Sequence, residues 1–443
     1  MTATDEKATG ETATGEVVRI CQDLLRIDTT NTGDLDTSAG ERAAAEYVAA
    51  QLAEVGIESQ FRESAPGRAS VVARPPGTDP GRPALLVHGH LDVVPADPSE
   101  WSVDPFAGEI RDGYLWGRGA IDMKDFDAMV LAVVRQWARE GKRPPRDIVL
   151  AFLADEEAGS RYGAHHLVGT EPELFEGCTE AIGEVGGFSF TISRDQRLYL
   201  IETAEKGIDW LRLHARGRPG HGSMLNDDNA VTALAEAVAR VGRHRFPLVM
   251  TPTVRAFLDE LSAVLGIDLD PEDPEAAIGK LGTLANMVGA TVRNTANPTR
   301  LQAGYKDNVI PSTAMATIDC RTLPGQFELF REQLQAVVGP DIEIETGERQ
   351  IALETTFDGP LVEAMKAALR AEDPGAHAVP YMLSGGTDAK AFSRLGIRCF
   401  GFSPLRLPAD LNFSALFHGI DERVPVDGLQ FGVRVLDRFL TAC

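Results

Sequence analysis

The sequence predicts an α/β protein whose mainly parallel central sheet is interrupted by an inserted α+β domain. Residues 84–87 and 147–154 are short apolar runs flanked by turn-forming residues, which is typical of buried strands. Between them, residues 125–140 carry apolar side chains at helical spacing. Strand, helix and strand in this order indicate two parallel strands joined by a crossover helix.

The other elements follow in chain order. Helices are predicted from Val17 onward and over residues 40–55, where Gly56 marks the end of the second. The pattern then changes to strand, helix, two strands, helix and strand, at residues 210–215, 229–241, 291–304, 313–321, 326–338 and 342–346. That order matches the ferredoxin-like unit. A helix at 360–371 and an apolar run at 397–402 return to the first pattern.

These changes of pattern predict four parts. A disordered lead-in covers residues 1–15, and the first domain runs from 16 to 205. The inserted domain covers 206–352, and the first domain resumes over 353–443. The first domain is therefore expected to form from two separate stretches of the chain.

Composition excludes several classes of protein. The 443 residues include 43 Lys and Arg against 66 Asp and Glu, a formal charge of -23, which argues against a nucleic-acid or anionic-membrane partner. Hydrophobic residues make up 43%, which argues against wholesale disorder. No apolar run approaches the roughly 18 residues that span a bilayer. Five scattered cysteines without a C-x-x-C pattern, and an N-terminus without signal-peptide features, favour a cytoplasmic location.

Side chains that bind metals lie at or beside the predicted core elements. Each alone has an ordinary explanation: a histidine beside a strand is usually a core or surface residue, a Glu-Glu pair is usually a solvated turn, and an acid before a helix is usually an N-cap. Their joint placement is more informative, because ligand sites in open α/β sheets gather at the carboxyl ends of strands. Two histidines and three carboxylates suit a pair of zinc ions. The candidates are His90, Asp122, Glu157, Glu184 and His418.

Eight segments together resemble the co-catalytic zinc aminoacylase and carboxypeptidase superfamily. That group includes the carboxypeptidase G type, succinyl-diaminopimelate desuccinylase, acetylornithine deacetylase and related dipeptidases. The segments are GHLDVVP, GRGAIDMKD, ADEEAGS, the stretch around Glu184, GRPGHGS, NVIPSTAMATIDCR, SGGTDAK and FHGIDERV. The resemblance runs from about Val17 to the C-terminus in the expected order. It implies a zinc-peptidase-like catalytic domain carrying an inserted lid or dimerisation domain.

Carried over by position, the resemblance implies a role for each candidate. One zinc would be held by His90, Asp122 and Glu184, and the other by Asp122, Glu157 and His418, with Asp122 bridging. Glu156 would be the general base, Asp92 would orient His90, and His221 would complete the site. The peptide bond between Asp122 and Met123 is expected to be cis. Co²⁺ or Mn²⁺ would be alternatives to the two Zn²⁺ ions.

Substrate contacts are implied less directly. By resemblance, Asn308 and Arg321 would grip the substrate carboxylate, and a glycine-rich turn would present backbone N–H groups to an anion. That turn comprises Ser384, Gly385, Gly386 and Thr387. From the residues alone, the turn is equally a plain tight turn, Arg321 is equally a surface ion pair, and His221 reads as a surface-loop histidine.

The implied activity is metal-dependent hydrolysis of an amide or peptide bond next to a free carboxylate. The substrate would be a dipeptide or an N-acyl amino acid, attacked by a zinc-bound hydroxide with Glu156 as base. Two alternatives stay open: a carbamoyl-amidohydrolase of the same superfamily, and a non-catalytic peptide-binding member. Residues 245–297 exceed what a minimal lid needs, so they are expected to shape the pocket or the dimer edge and to allow a bulkier acyl group. Monomer and homodimer both fit the sequence.

Overall fold

The computed structural model describes residues 11–280 and 288–443. The chain divides into two compact units. The first comprises Met1–Glu202, Phe357–Val379 and Thr387–Cys443, and the second comprises Thr203–Thr356 and Pro380–Gly386. Within the described ranges, no helix combines the length and apolar content that crossing a membrane requires.

The described residues form helices and strands with the following bounds. The helices are α1 (Ala13–Leu25), α2 (Arg42–Glu54), α3 (Lys124–Glu140), α4 (Ala164–Thr170), α5 (Ala230–Arg243), α6 (Pro252–Leu265), α7 (Pro274–Gly279), α8 (Phe327–Val338), α9 (Pro360–Glu372), α10 (Ala389–Ser393) and α11 (Val426–Ala442). The strands are β1 (Ser59–Ala65), β2 (Arg68–Ala73), β3 (Ala84–His90), β4 (Glu109–Arg111), β5 (Tyr114–Trp116), β6 (Ile148–Leu153), β7 (Cys178–Gly183), β8 (Ser189–Thr191), β9 (Arg197–Glu205), β10 (Gly207–Arg216), β11 (Gly220–His221), β12 (Thr295–Ala303), β13 (Val309–Ile310), β14 (Thr313–Thr322), β15 (Glu343–Gln350), β16 (Leu353–Glu354), β17 (Ala376–Leu383), β18 (Arg398–Gly401) and β19 (Arg423–Pro425).

The first unit is built on a mixed sheet with a parallel centre. Its strand order is β1-β2-β6-β3-β7-β18-β9. The pairs β3–β6, β3–β7 and β7–β18 are parallel, whereas β1–β2, β2–β6 and β9–β18 are antiparallel. Every residue of β3 and β6 is buried, as expected for central parallel strands covered on both faces. The predicted α/β class with a mainly parallel central sheet is confirmed.

The boundaries of α1 and β3 are among those that differ from the prediction. Residues 1–10 of the predicted lead-in lie outside the described residues, but α1 begins at Ala13 because the Thr12 side chain accepts a hydrogen bond from Gly15 N. β3 continues three residues past the apolar run that predicted it, since the backbone from His88 to His90 stays paired with β6. His90 is therefore the last residue of a buried strand.

The second unit contains a four-stranded antiparallel sheet in the order β12-β14-β10-β15. Helices α5 and α8 cover this sheet, and a buried cluster that includes Leu211, Leu234 and Phe330 fills the interface. The element order of strand, helix, two strands, helix and strand is that of a ferredoxin-like unit, with α6 and α7 added before β12. Its role as a lid or dimerisation domain stays a prediction.

The two ends of the long segment that belongs to the second unit lie side by side. Thr355 N donates to Thr203 O at 2.8 Å. Strand β16 pairs antiparallel with the last residues of β9, so that Leu353 lies opposite Glu205.

Candidate metal centre

Three parallel strands end at the same edge of the first unit's sheet. His90 is the last residue of β3, and Glu184 directly follows β7. Glu156 and Glu157 lie in a 3₁₀ turn that starts three residues after β6 ends. Because β6, β3 and β7 are parallel neighbours, their carboxyl ends bring these four side chains together.

Asp122 connects this group to His418. Its Oδ1 lies 3.2 Å from His90 Nε2, and its Oδ2 lies 3.2 Å from His418 Nε2. Each histidine also faces a second carboxylate: His90 Nε2 lies 3.5 Å from Glu184 Oε2, and His418 Nε2 lies 3.1 Å from Glu157 Oε2. The five side chains thus form two adjoining groups that share the Asp122 carboxylate.

The donor set fits divalent metal ions. Two atoms bound at about 2.0–2.1 Å to a tetrahedral zinc ion lie roughly 3.3 Å apart, close to the contacts between these histidines and carboxylates. The groups His90, Asp122, Glu157 and His90, Glu156, Glu184 each offer ligand atoms within 4.8 Å of one another. Glu157 Oε1 is buried without a hydrogen-bond partner among the described residues, so it needs a cation or a proton.

The candidate metal centre contains more carboxylates than histidines, and the pKa values of both kinds of side chain are shifted. Burial raises the pKa of Glu184 to about 8 and the pKa of Glu156 well above its usual value. Hydrogen bonds to Asp122 and Glu157 raise the pKa of His418 to about 10. These directions describe the protein groups alone, and a bound cation would favour the ionised carboxylates and the neutral imidazoles.

The Asp92 carboxylate contacts the turn that carries the two glutamates. Its carboxylate accepts hydrogen bonds from Glu156 N at 3.0 Å and Glu157 N at 3.1 Å. His90 Nδ1 lies 3.0 Å from the Asp92 carbonyl oxygen and 3.5 Å from the Asp92 carboxylate. The backbone carbonyl is therefore the nearer partner for His90. The predicted orienting role of Asp92 stays a prediction.

Glu422 is a supporting residue that the sequence analysis did not single out. Its side chain is fully buried and accepts hydrogen bonds from Arg118 Nη1 at 2.7 Å, Gly119 N at 3.1 Å and Ile121 N at 2.8 Å. These bonds hold the glycine-rich turn that ends at Asp122. The signal available in the sequence was its position in FHGIDERV, four residues after His418.

The backbone at the centre is unusual at several positions. Asp155, Val185 and His418 have φ values of 68°, 56° and 56°, in the left-handed region that non-glycine residues rarely adopt. Asp155 precedes Glu156, and Val185 follows Glu184. Such conformations persist where surrounding contacts hold them, and they cluster at functional sites. The Asp122–Met123 peptide bond is cis, as predicted.

His221, predicted to complete the site, and Asn308, predicted to contact the substrate, adjoin each other in the second unit. His221 on β11 pairs with Val309 on β13, and Gly222 N donates to Asn308 O at 2.9 Å. The His221 side chain is exposed, and its Nδ1 lies 2.8 Å from Ser223 Oγ. This ladder brings His221 and Asn308 together, while their roles stay predictions.

The other predicted substrate contacts, Arg321 and the glycine-rich turn, lie outside β11 and β13. Arg321 lies on β14, where its guanidinium pairs with the Asp319 carboxylate at 2.6 and 3.0 Å, the arrangement that the surface ion-pair interpretation expects. Thr387 belongs to the first unit, and its Oγ1 accepts a hydrogen bond from Ala389 N at 3.1 Å, at the start of α10. The other residues of that turn, Ser384, Gly385 and Gly386, belong to the second unit. Binding of an anion by this turn stays a prediction.

Known proteins resemble the chain in sequence and in fold. The sequence profile of Peptidase family M20/M25/M40 matches residues 86–442. Aminoacylase-1 from Pongo abelii is 29% identical over 411 residues, covering 90% of this chain and 90% of that protein. The N-fatty-acyl-amino acid synthase/hydrolase PM20D1 from Xenopus tropicalis is 26% identical over 445 residues, covering 95% and 84%. The M20 family metallo-carboxypeptidase Sso-CP2 from Sulfolobus solfataricus has a similar fold, with a TM-score of 0.72, 19% identity and coverage of 96% and 99%.

The fold and the family match define the class of the protein as a hydrolase of the metallopeptidase and aminoacylase type. The chain belongs to Peptidase family M20/M25/M40. The resemblance inferred from the eight sequence segments is thereby confirmed.

Proposed function

We propose that the chain is a dinuclear zinc hydrolase that cleaves the amide bond of an N-acyl amino acid, next to the free carboxylate. One observation carries the proposal: the two oxygens of Asp122 face two different histidines, and each histidine faces a second carboxylate. A carboxylate shared between two mixed nitrogen and oxygen donor sets suits a pair of zinc ions.

His90, Asp122 and Glu184 would hold one ion, and Asp122, Glu157 and His418 would hold the other. Metal ions bound here would act as Lewis acids and lower the pKa of a coordinated water. Co²⁺ or Mn²⁺ would bind the same donors. The shared carboxylate makes the two sites interdependent, so loss of Asp122 would affect both.

Glu156 would serve as the general base. One of its carboxylate oxygens lies within 4.8 Å of ligand atoms on both His90 and Glu184, and its backbone N–H is held by Asp92. Glu156 would take a proton from the attacking water and deliver it to the leaving nitrogen. Burial, which raises the pKa of Glu156, favours holding that proton between the two transfers.

An N-acyl amino acid is favoured over a dipeptide by the relatives that match along nearly the whole chain. Aminoacylase-1 and the N-fatty-acyl-amino acid synthase/hydrolase are matched over 90% and 95% of this chain. The likeness to human carnosine dipeptidase 1, at 17% identity and a TM-score of 0.66, supports the fold alone. His221 is proposed to complete the catalytic site. Asn308 is proposed to contact the substrate together with Arg321, which would have to exchange Asp319 for the substrate carboxylate.

The proposal also includes a cellular location and an oligomeric state. Each of the five cysteines lies in the described residues as a thiol outside any disulfide, which supports a reducing cytoplasmic location. The four-stranded sheet of the second unit is proposed to pair edge to edge with a second copy, giving a homodimer. Light scattering at micromolar concentration tests this, and a monomer would contradict it.

Release of free amine tests the function directly. The zinc-loaded protein and the chelated protein would be assayed with N-acyl amino acids of increasing acyl length, dipeptides and N-carbamoyl amino acids. We expect metal-dependent release of the amino acid from the N-acyl series. Release from dipeptides alone would contradict the proposed substrate, and release of ammonia from the carbamoyl compounds would favour a carbamoyl-amidohydrolase. A sharp preference for acetyl would contradict a pocket adapted to bulky acyl groups.

A further inference from the structure

A buried polar network lies behind the candidate metal centre, and Asn31 is in the middle of it. Asn31 is 4% exposed and sits on the loop that follows α1. This loop runs beside the end of β3: Asn31 N donates to Val93 O at 2.8 Å, and Thr29 Oγ1 donates to Leu91 O at 2.7 Å. The loop is thereby fixed to the residues on either side of Asp92.

The orientation of the Asn31 amide is set by its partners. Its Nδ2 donates to Asp92 Oδ2 at 2.8 Å and to Asp155 Oδ1 at 3.1 Å. Its Oδ1 accepts from Arg68 Nη2 at 2.7 Å and from Gly33 N at 2.9 Å. Because ionised carboxylates only accept hydrogen bonds and guanidinium groups only donate, the reversed amide would lose all of these contacts.

Arg68 supplies the positive charge of this network. Its side chain is 2% exposed and forms ion pairs with Glu41 and, at 3.2 Å, with Asp155 Oδ1. Three buried carboxylates, those of Glu41, Asp92 and Asp155, therefore surround one guanidinium and one neutral amide. The three carboxylates outnumber the one guanidinium. The Asn31 amide donates hydrogen bonds to two of these carboxylates without adding another negative charge.

The network contacts the 3₁₀ turn that carries Glu156 and Glu157 through two carboxylates. Asp92 binds the backbone N–H groups of Glu156 and Glu157. Asp155, at φ 68°, precedes Glu156 and is held by Asn31, by Arg68 and by Tyr162 N at 2.8 Å. We infer that Asn31 is a positioning residue: together with Arg68 it fixes Asp92 and Asp155, and through them the placement of Glu156 and Glu157. This inference rests on the proposed function of those two glutamates.

The test compares Asn31→Asp and Asn31→Ala with the wild type. Asn31→Asp keeps the size of the side chain but replaces the amide N–H donor with a carboxylate that faces those of Asp92 and Asp155. Asn294→Asp is the matched control: Asn294 is 3% exposed, lies in the second unit, and accepts a hydrogen bond from Leu323 N at 2.7 Å through Oδ1, an oxygen that Asp keeps. Kinetics on an N-acyl amino acid would be combined with the visible absorption spectrum of the Co²⁺-loaded proteins.

We expect kcat of both Asn31 variants to fall by about 10–100-fold, the usual effect of losing a partner behind a metal site. KM should change by less than about threefold, because substrate contacts are not altered. The Co²⁺ absorption bands should shift, since Glu157 and its neighbours would be displaced. The Asn294→Asp control should match the wild type in kcat and in the spectrum.

Several outcomes would overturn the inference. Wild-type kcat and Co²⁺ absorption per folded molecule, with only a lower melting temperature, would assign Asn31 a purely structural role. An equal loss in the Asn294→Asp control would do the same. Should Asn31→Asp fail to fold, Asn31→Ala decides by the same criteria. Should the wild type bind two metals yet hydrolyse no substrate, the proposed function fails, and the Co²⁺ spectra alone still test the positioning.

Discussion

Glu156 and Glu157 are neighbours in the chain, yet their side chains have different surroundings. Glu157 Oε2 contacts His418 at 3.1 Å, whereas a Glu156 carboxylate oxygen lies within 4.8 Å of ligand atoms on His90 and Glu184. The difference follows from the 3₁₀ turn, in which successive side chains point about 120° apart. Glu157 can thus bind a metal ion while Glu156 accepts and releases a proton.

Replacing Glu156 with Gln is therefore expected to separate the two tasks. Turnover should fall by about 10²–10⁴-fold, the usual range for loss of a general base, because the amide cannot accept the proton. Metal content should stay at two ions per chain, since Glu156 is proposed to act on the water. Steady-state kinetics and elemental analysis measure the two quantities.

The control for this change is Glu173→Gln, which removes the same charge from an exposed residue of another 3₁₀ turn, Pro172–Phe175. It should retain full activity. Unchanged turnover in Glu156→Gln would defeat the proposed mechanism, and a loss of one metal would make Glu156 a ligand instead.

The metal-binding candidates could be predicted from the sequence, but the supporting residues Asn31 and Glu422 could not. His90, Glu157 and Glu184 follow apolar runs, whose ends mark the sheet edge where ligands gather. Asn31 and Glu422 lie in loops without periodicity, and their main partners Asp92 and Arg118 are 61 and 304 positions away. Such long-range polar contacts leave no pattern in a single sequence.

At the scale of elements, the turn between β5 and α3 determines where Asp122 stands. Gly119 in this turn has φ 88°, and a Cβ there would lie 2.7 Å from Val93 Cγ1 and 3.1 Å from Lys124 Cδ. Glycine is thus required for two reasons, the backbone conformation and the space. A larger residue would have to displace the turn or the side chains of Val93 and Lys124.

Gly119→Ala should accordingly destabilise the protein more than a matched change elsewhere. Gly113 has φ 81°, but a Cβ added there would meet nothing within 4 Å, so Gly113→Ala should cost about 1–2 kcal/mol from backbone strain alone. Gly119→Ala should cost a further 1–3 kcal/mol, roughly, from overpacking. Denaturant unfolding measures both. Equal costs would show that the turn adapts freely.

The second unit has a buried lysine, Lys206, between β9 and β10. Lys206 Nζ donates to Ala290 O at 2.9 Å and Arg293 O at 2.8 Å. Burial lowers its pKa to about 7, against about 10.4 for a lysine in an unfolded chain. Between these values the unfolded state binds a proton that the folded state does not.

The contribution of Lys206 to the free energy of unfolding should therefore rise with pH between about 7 and 10. Denaturant unfolding of the wild type and of Lys206→Met over this range should show a difference that grows in favour of the wild type. Lys280→Met, at an exposed position, is the control and should follow the wild type. A pH-independent difference would contradict the lowered pKa.

On the scale of the whole molecule, the candidate metal centre gathers residues that are far apart in the chain. The ligand candidates extend from His90 to His418 and come from five separate segments. The unfolded chain therefore has no preformed site, and metal binding is coupled to folding. The crowded carboxylates add to this coupling, because they repel one another until a cation is bound.

Chelation should lower the melting temperature of the protein, and added Zn²⁺ should restore it. At a free Zn²⁺ concentration about 100 times Kd, binding at one site adds roughly 2.7 kcal/mol to the free energy of unfolding. Differential scanning calorimetry with and without a chelator measures the shift. His418→Ala should show a smaller shift because one site loses its histidine. An unchanged melting temperature in the wild type would contradict the ligand assignment.

The pairing of β16 with the end of β9 has a consequence for how this chain can change over time. Because Thr203 and Thr355 are hydrogen-bonded neighbours, the longer segment of the second unit, Thr203–Thr356, begins and ends at nearly one point, while the short segment Pro380–Gly386 belongs to the same unit separately. These roughly 150 residues could thus be exchanged as one continuous segment, because a replacement would need to join the chain at only one place. Substrate range could then evolve by replacing this segment, while the five ligand candidates and Glu156 are inherited with the first unit.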